Sequence, residues 1–568
     1  MTSYAPQHRI YLLPLKLFKS DRATAEMAAI YLDTGQVAVV DERFVQQIGI
    51  DLTNDVFSIE TRKSLDLAPG SFSMYLIDAV RPSYTDLIQP NDIMLIQLDN
   101  GVANGRLENV MLGLVSRVAK TTTINDNHVS HYIEISGQDM ARWLYVGRTF
   151  FWFYAGVGSN AKDGVAELAD RQQAFLNYFP NQGRSNLPSA EILKNILLGY
   201  IGEFFPRVKE VFQWNPIPTM SVEAQFVGND PILGFGEKYI PNLSLDGYEG
   251  SFANLLLDHQ FEYFGELWSD TTPDGGFAIN YRRVPFDESD WYSFSVSGGN
   301  ASRRHHFISD DAIIGINVAR GDEQYYNFIS VIPWIYSPTS ITRLVIDSTK
   351  RLDLSSIKDR GVRQLFITSK YLDSQITDSV KTARLTGSFH EALENEAITM
   401  ETPNSTLSMT QVDATARDIQ NKTGPIYQIA DDWAGAAWRW YSQLDRYYTG
   451  RVKIHGSPTI RVGHKIELPG VTNQGFQTPY HFYVVAVHHS YNTEQGHFTT
   501  ELELTRGQPA EAFIRPSLAT GTEQNAEAEA AKTAGTLANT NPVNPRPFAN
   551  GGINSDDPDL RDPTWREY

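Results

Sequence analysis

The sequence predicts an α+β protein that is mainly β: two related small antiparallel β-barrel domains, an inserted helix-rich α/β region and an extended C-terminal tail. Three observations predict this. Short apolar runs punctuated by Asn, Asp, Gly and Thr recur near both ends of the folded part. The order of those runs between Asp92 and Gly137 returns between Gly463 and Gly507. Helical periodicity is concentrated between the two.

The first barrel rests on the stretch from Ser71 to Leu144, where Ile93 to Leu98, Val110 to Val118 and Tyr132 to Ser136 alternate with polar spacers. Ile133 and Ile135 alternate with Tyr132, Glu134 and Ser136, so one face of that strand is buried. Pro90, Asn91 and Asp92 supply a turn, Asn100-Gly101 and Asn104-Gly105 tolerate positive φ, and Gly137 is expected to end the sheet and release a short helix through Ala141 and Trp143. Upstream, Ile30 and Leu32, an Asp33-Thr34-Gly35 turn and Val37, Val39 and Val40 form a hairpin pattern that joins the barrel or makes a separate N-terminal arm. These elements make up a first domain over residues 1–145.

The character changes over residues 146–306, the helix-rich insert. Val165, Leu168, Ala169, Phe175, Leu176 and Phe179 recur at helical spacing, as do Ile192, Leu193, Ile196, Leu197 and Ile201, with Ser189 as a start and Pro206 as a stop. A third helix opens at Ser251, and two strands flank the turn Thr272 to Gly276. Residues 307–425 bring two β-rich runs around Arg320 to Gln324, contributing to the second barrel, then a connecting segment with helical hints at Val380 to Ala397.

In residues 426–510, Ile426, Ala430, Trp433, Ala437, Trp438, Tyr441 and Leu444 mark a long helix with an aromatic stripe. The second barrel follows, VGHKIELPG, FYVVAVHHSY and HFTTELELTRG matching PNDIMLIQLDNG, VMLGLVSRV and HYIEISG. Residues 511–568 hold too few apolar anchors to bury a core and read as a polar tail, Asp556 to Asp562 being a charged run without the glycine and glutamate of a calcium loop.

Composition bounds the function. A chain of 568 residues needs several cores, and 41% hydrophobic and 12% aromatic residues can supply them. There are no cysteines, which excludes disulfides and thiolate chemistry. A net charge of −19 argues against a surface that tracks nucleic-acid phosphates. No apolar run is long enough to span a bilayer and no secretory leader pattern opens the chain, so the expectation is synthesis in a cytoplasm without membrane insertion.

The usual catalytic signatures are missing. GFGEKY at Gly234 lacks the spacing of a nucleotide loop, and neither a GxSxG elbow nor an HExxH pair occurs. His305-His306 and His488-His489 are adjacent pairs, and neighbours on a strand point to opposite faces, so neither pair chelates one ion; their expected role is structural. Glu262, Glu266 and Asp270 could be an acid and base for glycan cleavage, but carboxylates at helical spacing are ordinarily solvated. The cluster Trp433, Trp438, Trp440, Tyr441, Tyr447 and Tyr448 is expected to be helix core rather than a sugar platform. Catalytic residues, cofactors and metals are therefore expected to be none.

Taken together, SFSMYL with LIQPNDIMLIQL, VMLGLVSRV, YIEISGQDMARWL, FEYFGELWSD with YRRVPFD, IKDRGVRQLFITSKYL and GSPTIRVGHKIEL with FYVVAVHHSY and ELELTRG resemble baseplate hub proteins of contractile-tailed bacteriophages and related contractile injection systems. The resemblance implies a non-enzymatic homotrimeric ring in the virion tail baseplate, assembled in the bacterial host cytoplasm. It would adapt the hexameric tail tube to a trimeric central spike, and two barrels per chain would place six around a channel. The implied partners are the central spike protein, the tail tube or tube-initiator protein, baseplate wedge proteins and the tape-measure protein. DNA would pass without specific binding, along a wall expected from net charge to be acidic. The alternative is a tail-tip protein on the same fold that degrades peptidoglycan or binds a receptor, the latter favoured if Trp268 and Trp291 are exposed together.

Overall fold

A computed structural model describes residues 6–13, 50–66, 68–77, 84–101, 107–125, 128–150, 193, 195–197, 219–222, 249–260, 263–271, 277–296, 303–322, 325–333, 351–369, 433–442, 444–470 and 478–514. In chain order these hold β1 (Gln7–Leu13), β2 (Ile50–Asp51), β3 (Val56–Ser64), β4 (Ser71–Ile77), helix α1 (Tyr84–Leu87), β5 (Ile93–Asp99), β6 (Glu108–Asn125), β7 (His128–Asp139) and α2 (Arg142–Val146). The insert contributes β8 (Arg148–Phe150), β9 (Thr219–Val222), β10 (Glu249–Ser251), α3 (Phe252–His259), β11 (Gly265–Thr271), β12 (Phe277–Arg283) and α4 (Glu288–Tyr292). There follow β13 (His305–Phe307), β14 (Ile313–Ala319), β15 (Phe328–Pro333), β16 (Arg351–Leu352), α5 (Leu354–Arg360) and β17 (Gln364–Ser369). A helical segment over residues 433–441 leads to β18 (Tyr448–His455), β19 (Lys465–Leu468), β20 (Tyr480–Asn492) and β21 (His497–Pro509).

The two expected barrels are halves of one curled, mainly antiparallel sheet of 13 strands, ordered β14-β18-β21-β20-β3-β4-β7-β6-β5-β1-β2, with β19 on β20 and β13 on β19. Each half keeps its own core. Ile10, Met74, Leu76, Ile96, Ile133 and Ile135 lie in the first, and Val452, Ile454, Ile466, Phe482, Leu502 and Leu504 in the second. The alternation seen at Ile133 and Ile135 recurs in β4, where Phe72, Met74 and Leu76 point inward and Ser71, Ser73 and Tyr75 outward.

The halves repeat strand for strand. The first runs β1-β5-β6-β7-β4-β3 and the second β13-β19-β20-β21-β18-β14. The likeness extends to single hydrogen bonds. Asn91 donates to Val115 O and Val115 to Asp92 O in the first half; Gly463 donates to Val484 O and Val484 to His464 O in the second. Asn91 and Gly463 both adopt positive φ, 71° and 76°, as this turn requires. Asp92 Oδ2 accepts from the Gln89 amide at 2.8 Å, and His464 Nδ1 from the Arg461 amide at 3.2 Å. The repeat begins one residue earlier in the first half than the motif spacing suggests, pairing Asn91, not Asp92, with Gly463.

Gly137 does not end the sheet, since β7 continues to Asp139. Its function is space: a Cβ there would lie 2.2 Å from the Phe72 ring of β4, and one at Gly507, near the end of β21, would lie 2.2 Å from the Phe482 ring of β20. In both halves an aromatic side chain fills the space over a strand glycine.

In the insert, Ser251 caps α3 by accepting from the Asn254 amide at 3.1 Å, and β11 and β12 flank the expected turn. Of the two β-rich runs after residue 307, β14 joins the main sheet, whereas β15 pairs with β16 and β17 in a separate small sheet. That corrects their joint assignment to the barrel: IKDRGVRQLFITS supplies β15 with its own partner strand. Leu193, Ile196 and Leu197 are helical and buried. The hairpin at Ile30 to Val40, the helix at Val165 to Phe179, the segment Val380 to Ala397, Gly234 and the tail lie outside the described residues, and no described helix is long and apolar enough to cross a membrane.

Candidate functional site

The residues that join the halves sit on β11, a strand of the insert wedged between them. Its apolar side chains Leu267 and Trp268 are buried, and its polar ones are buried too, which obliges each to find a partner. Asp270 Oδ1 accepts from Lys63 Nζ of β3 at 2.8 Å and from Arg461 of the second half at 3.0 Å. Thr271 Oγ1 accepts from Lys63 at 3.0 Å and from the Leu112 amide of β6 at 3.2 Å. Ser269 donates to Asp139, at the end of β7, at 2.6 Å. Arg461 spans the junction, also donating to Asn109 O of β6 at 2.7 Å.

A second cluster lies one turn of the strand away. Glu266 accepts from Arg282 Nε of β12 at 2.9 Å and from the Tyr483 hydroxyl of β20 at 2.6 Å, while Arg282 also donates to Gly463 O. Burial alone would raise the Asp270 carboxyl, but Lys63 and Arg461 outweigh it and hold it well below the usual carboxylate range. Asp139 is raised, burial exceeding the pull of Lys63 and Ser269. Burial also raises the Tyr483 phenol well above its usual value.

Glu266 and Asp270 are thus strand residues, not members of a solvated helix: α3 ends at His259, and both carboxylates are consumed by ion pairs. Glu262 lies outside the described residues. No local pattern announces this cluster, because Lys63, Asp270 and Arg461 come from three distant parts of the chain. The one available signal is charge inside otherwise apolar strands, at Glu266 and Asp270 in GELWSDT and Arg282 in FAINYRR.

In front of this junction the outward face of the sheet forms a groove of about 790 Å³ crossing both halves. Ser71, Ser73, Ser116 and Ser136 line one side, and Glu60, Glu501 and Glu503 alternate with Arg62, Arg142 and Arg451. Arg451 meets Glu503 at 2.7 Å and Arg62 meets it at 3.6 Å, so a charge ladder bridges the seam where β3 joins β20. The face is polar and charge-balanced, not uniformly acidic.

The histidine pairs divide between faces, as adjacency on a strand requires. His488 lines the groove while His489 is buried against Thr500, its pKa lowered to about 3 chiefly by burial. His306 stacks on His464, whereas His305 turns toward His481 and Glu467. Among the aromatics, Trp433 and Trp438 are core residues of the helix, but Tyr447 and Tyr448 lie beyond it, Tyr448 opening β18. Trp268 and Trp291 are each 1% exposed, which removes the observation that would favour receptor binding.

No protein-family model matches this chain, and no curated protein matches it. Among solved structures, it is similar to a tail protein from Neisseria meningitidis MC58, with TM-score 0.39 and 10% identity over 80% of this chain and 93% of that one. It is similar to the 43 kDa tail protein of prophage MuSo2 from Shewanella oneidensis, with TM-score 0.38 and 12% identity over 79% and 94%. A third is an Escherichia coli component of the type VI secretion system described as structurally similar to T4 bacteriophage tail proteins, with TM-score 0.35 and 9% identity over 82% and 77%.

Proposed function

We propose that the chain is a structural hub of a phage-type tail, a homotrimeric ring that joins the tail tube to a central spike and leaves a channel for DNA. The observation that carries this reading is the way the halves join. On β20 one edge holds β21; the other holds β19 at residues 480–483 and β3 at residues 486–492. The equivalent strand β6 holds β7 on one edge and β5 at residues 108–114 on the other. Beyond that point, no strand among the described residues covers its second edge.

The equivalent of β3 is β14, and among the described residues its outer edge is also unpaired. Uncovered strand edges of this length are a hazard unless a partner covers them. Docking β14 of one chain on β6 of the next would repeat between subunits the junction already made within each. A head-to-tail contact of this kind builds a ring when its rotation closes. Three chains would supply six equivalent halves, matching a six-fold tube while presenting three-fold symmetry to a spike.

The groove face would then line the channel. Arg62 and Arg451 are paired with Glu503 and Arg142 donates to the Ser116 hydroxyl, so a DNA backbone would meet no unbroken cationic track. Wedge and tape-measure proteins would contact the outer surface and the channel mouth. In the tail-tip enzyme alternative, Glu266 and Asp270 could not serve as acid and base while they hold these ion pairs.

A cysteine-free chain gives a clean test. Aligning Val115 with Val484 makes Thr121 the counterpart of Ser490, and the register Glu60–Ser73–Ser136–Arg117 matches Asn317–Arg451–Glu503–Ala486, so Asn317 of β14 falls opposite Thr121 of the neighbouring β6, as Glu60 falls opposite Ser490 within the chain. Oxidation of a chain carrying Asn317→Cys and Thr121→Cys should yield covalent trimers, with each single variant as control. A folded double variant that never crosslinks, alone or with spike and tube proteins, would contradict this docking.

A further inference from the structure

We propose that His305, Glu467 and His481 form a binding site for a divalent transition-metal ion of the zinc class, which clips the short strand β13 to β19 and β20. The sheet register builds the site. Glu467 and His481 are direct partners across β19 and β20, and β13 runs parallel to β19 with His305 beside Lys465 and Phe307 beside Glu467. One ligand therefore comes from each of three adjacent strands, and all three ligand atoms lie within 4.8 Å of one another.

The distances suit a small ion. Zinc held at about 2.0–2.1 Å in tetrahedral geometry separates its ligands by roughly 3.3 Å. Glu467 Oε2 lies 2.9 Å from His481 Nε2 and 3.6 Å from His305 Nε2, on either side of that value. Two imidazoles and one carboxylate with a fourth position open is a donor set that zinc accepts, whereas calcium and magnesium favour all-oxygen shells.

A second observation points to a ligand. His305 Nε2 is buried, aims at this cluster and has no hydrogen-bond partner among the described residues. Its ring packs against Phe307 at 4.6 Å and stands edge-on to the His481 ring at 4.9 Å. A metal bond would satisfy the nitrogen that the fold leaves orphaned.

The charged group facing the cluster is Lys465. Its ammonium is drawn aside, donating to Trp291 O at 3.0 Å and lying 5.4 to 5.7 Å from the ring centroids of Trp291, Tyr292 and Phe294. Glu467, hydrogen-bonded to His481 at 2.9 Å, supplies the carboxylate of the site.

The test uses the full chain stripped with a chelator and titrated with Zn²⁺ alone, then with Co²⁺. The expected result is one saturable Zn²⁺ per chain, a Co²⁺ d–d absorption in the visible, and a rise in melting temperature on loading. His305→Ala and His481→Ala should each weaken Zn²⁺ binding by at least about 10-fold and abolish the Co²⁺ band. His497→Ala, at an exposed hairpin end, should change neither. Because the alanine variants could unfold, Glu467→Gln is the decisive companion: it keeps an acceptor for His481 and should remain folded while losing the metal. Wild-type protein that takes up no Zn²⁺, or that binds it unchanged after Glu467→Gln and His305→Ala, would overturn the assignment.

Discussion

Replacing Asp270 by asparagine is the sharpest test of how the halves are held together. The carboxylate is shared by Lys63 at 2.8 Å and Arg461 at 3.0 Å, and all three side chains are at most 14% exposed. At an effective dielectric near 20, each pair attracts by roughly 6 kcal/mol before desolvation is subtracted. Asparagine keeps an acceptor but no charge, so two cations remain buried without a counterion. Removing one partner of a buried pair costs about 3–5 kcal/mol, and that is the loss expected here. Guanidinium denaturation followed by β-sheet circular dichroism should show a lower midpoint, and Asp270→Leu combined with Lys63→Met and Arg461→Met should recover much of it. The carboxyl is depressed in the folded state, so its stabilisation is complete above the unfolded carboxylate pKa and lost as pH falls below it; Asp270→Asn should lack that acid-sensitive part. A loss under about 1 kcal/mol would refute the view that this cluster holds the halves together.

Other outcomes follow from the same geometry. Gly137→Ala and Gly507→Ala should each destabilise by about 1–3 kcal/mol or more in thermal melts; at Gly137 the added methyl meets the Leu114 carbonyl at 2.3 Å as well as the Phe72 ring, so Phe72→Leu should restore only part of the loss. His489 and His306 are held neutral, at about 3 and 4, mainly by burial. The unfolded chain protonates them near 6.5, so stability is lost as pH falls from about 6.5 toward 4, by about 1.4 kcal/mol per pH unit for each. His489→Gln should flatten that slope in a pH series of denaturation midpoints.

The repeat was legible because its signals are local. The turn before β5 or β19 needs positive φ, which Asn91 and Gly463 supply. Strand alternation in YIEIS and the cap at Ser251 are likewise written in neighbouring residues. What escaped the sequence is non-local. VFSIETRKS gave no distinctive pattern, yet as β3 it forms the seam with β20. The Lys63, Asp270 and Arg461 cluster exists only once three distant segments meet. In the sequence the histidines stand out as adjacent pairs, whereas His305 finds its neighbours across two strands, which sequence spacing cannot show.

In the proposed assembly, two equivalent halves per chain close into a three-chain ring. Native mass by light scattering tests it most directly, on the chain alone and mixed with spike and tube proteins. A ring of this kind has the mass of three 63.8 kDa chains, either alone or once a tail partner is added. A stable monomer that ignores every tail partner would contradict it.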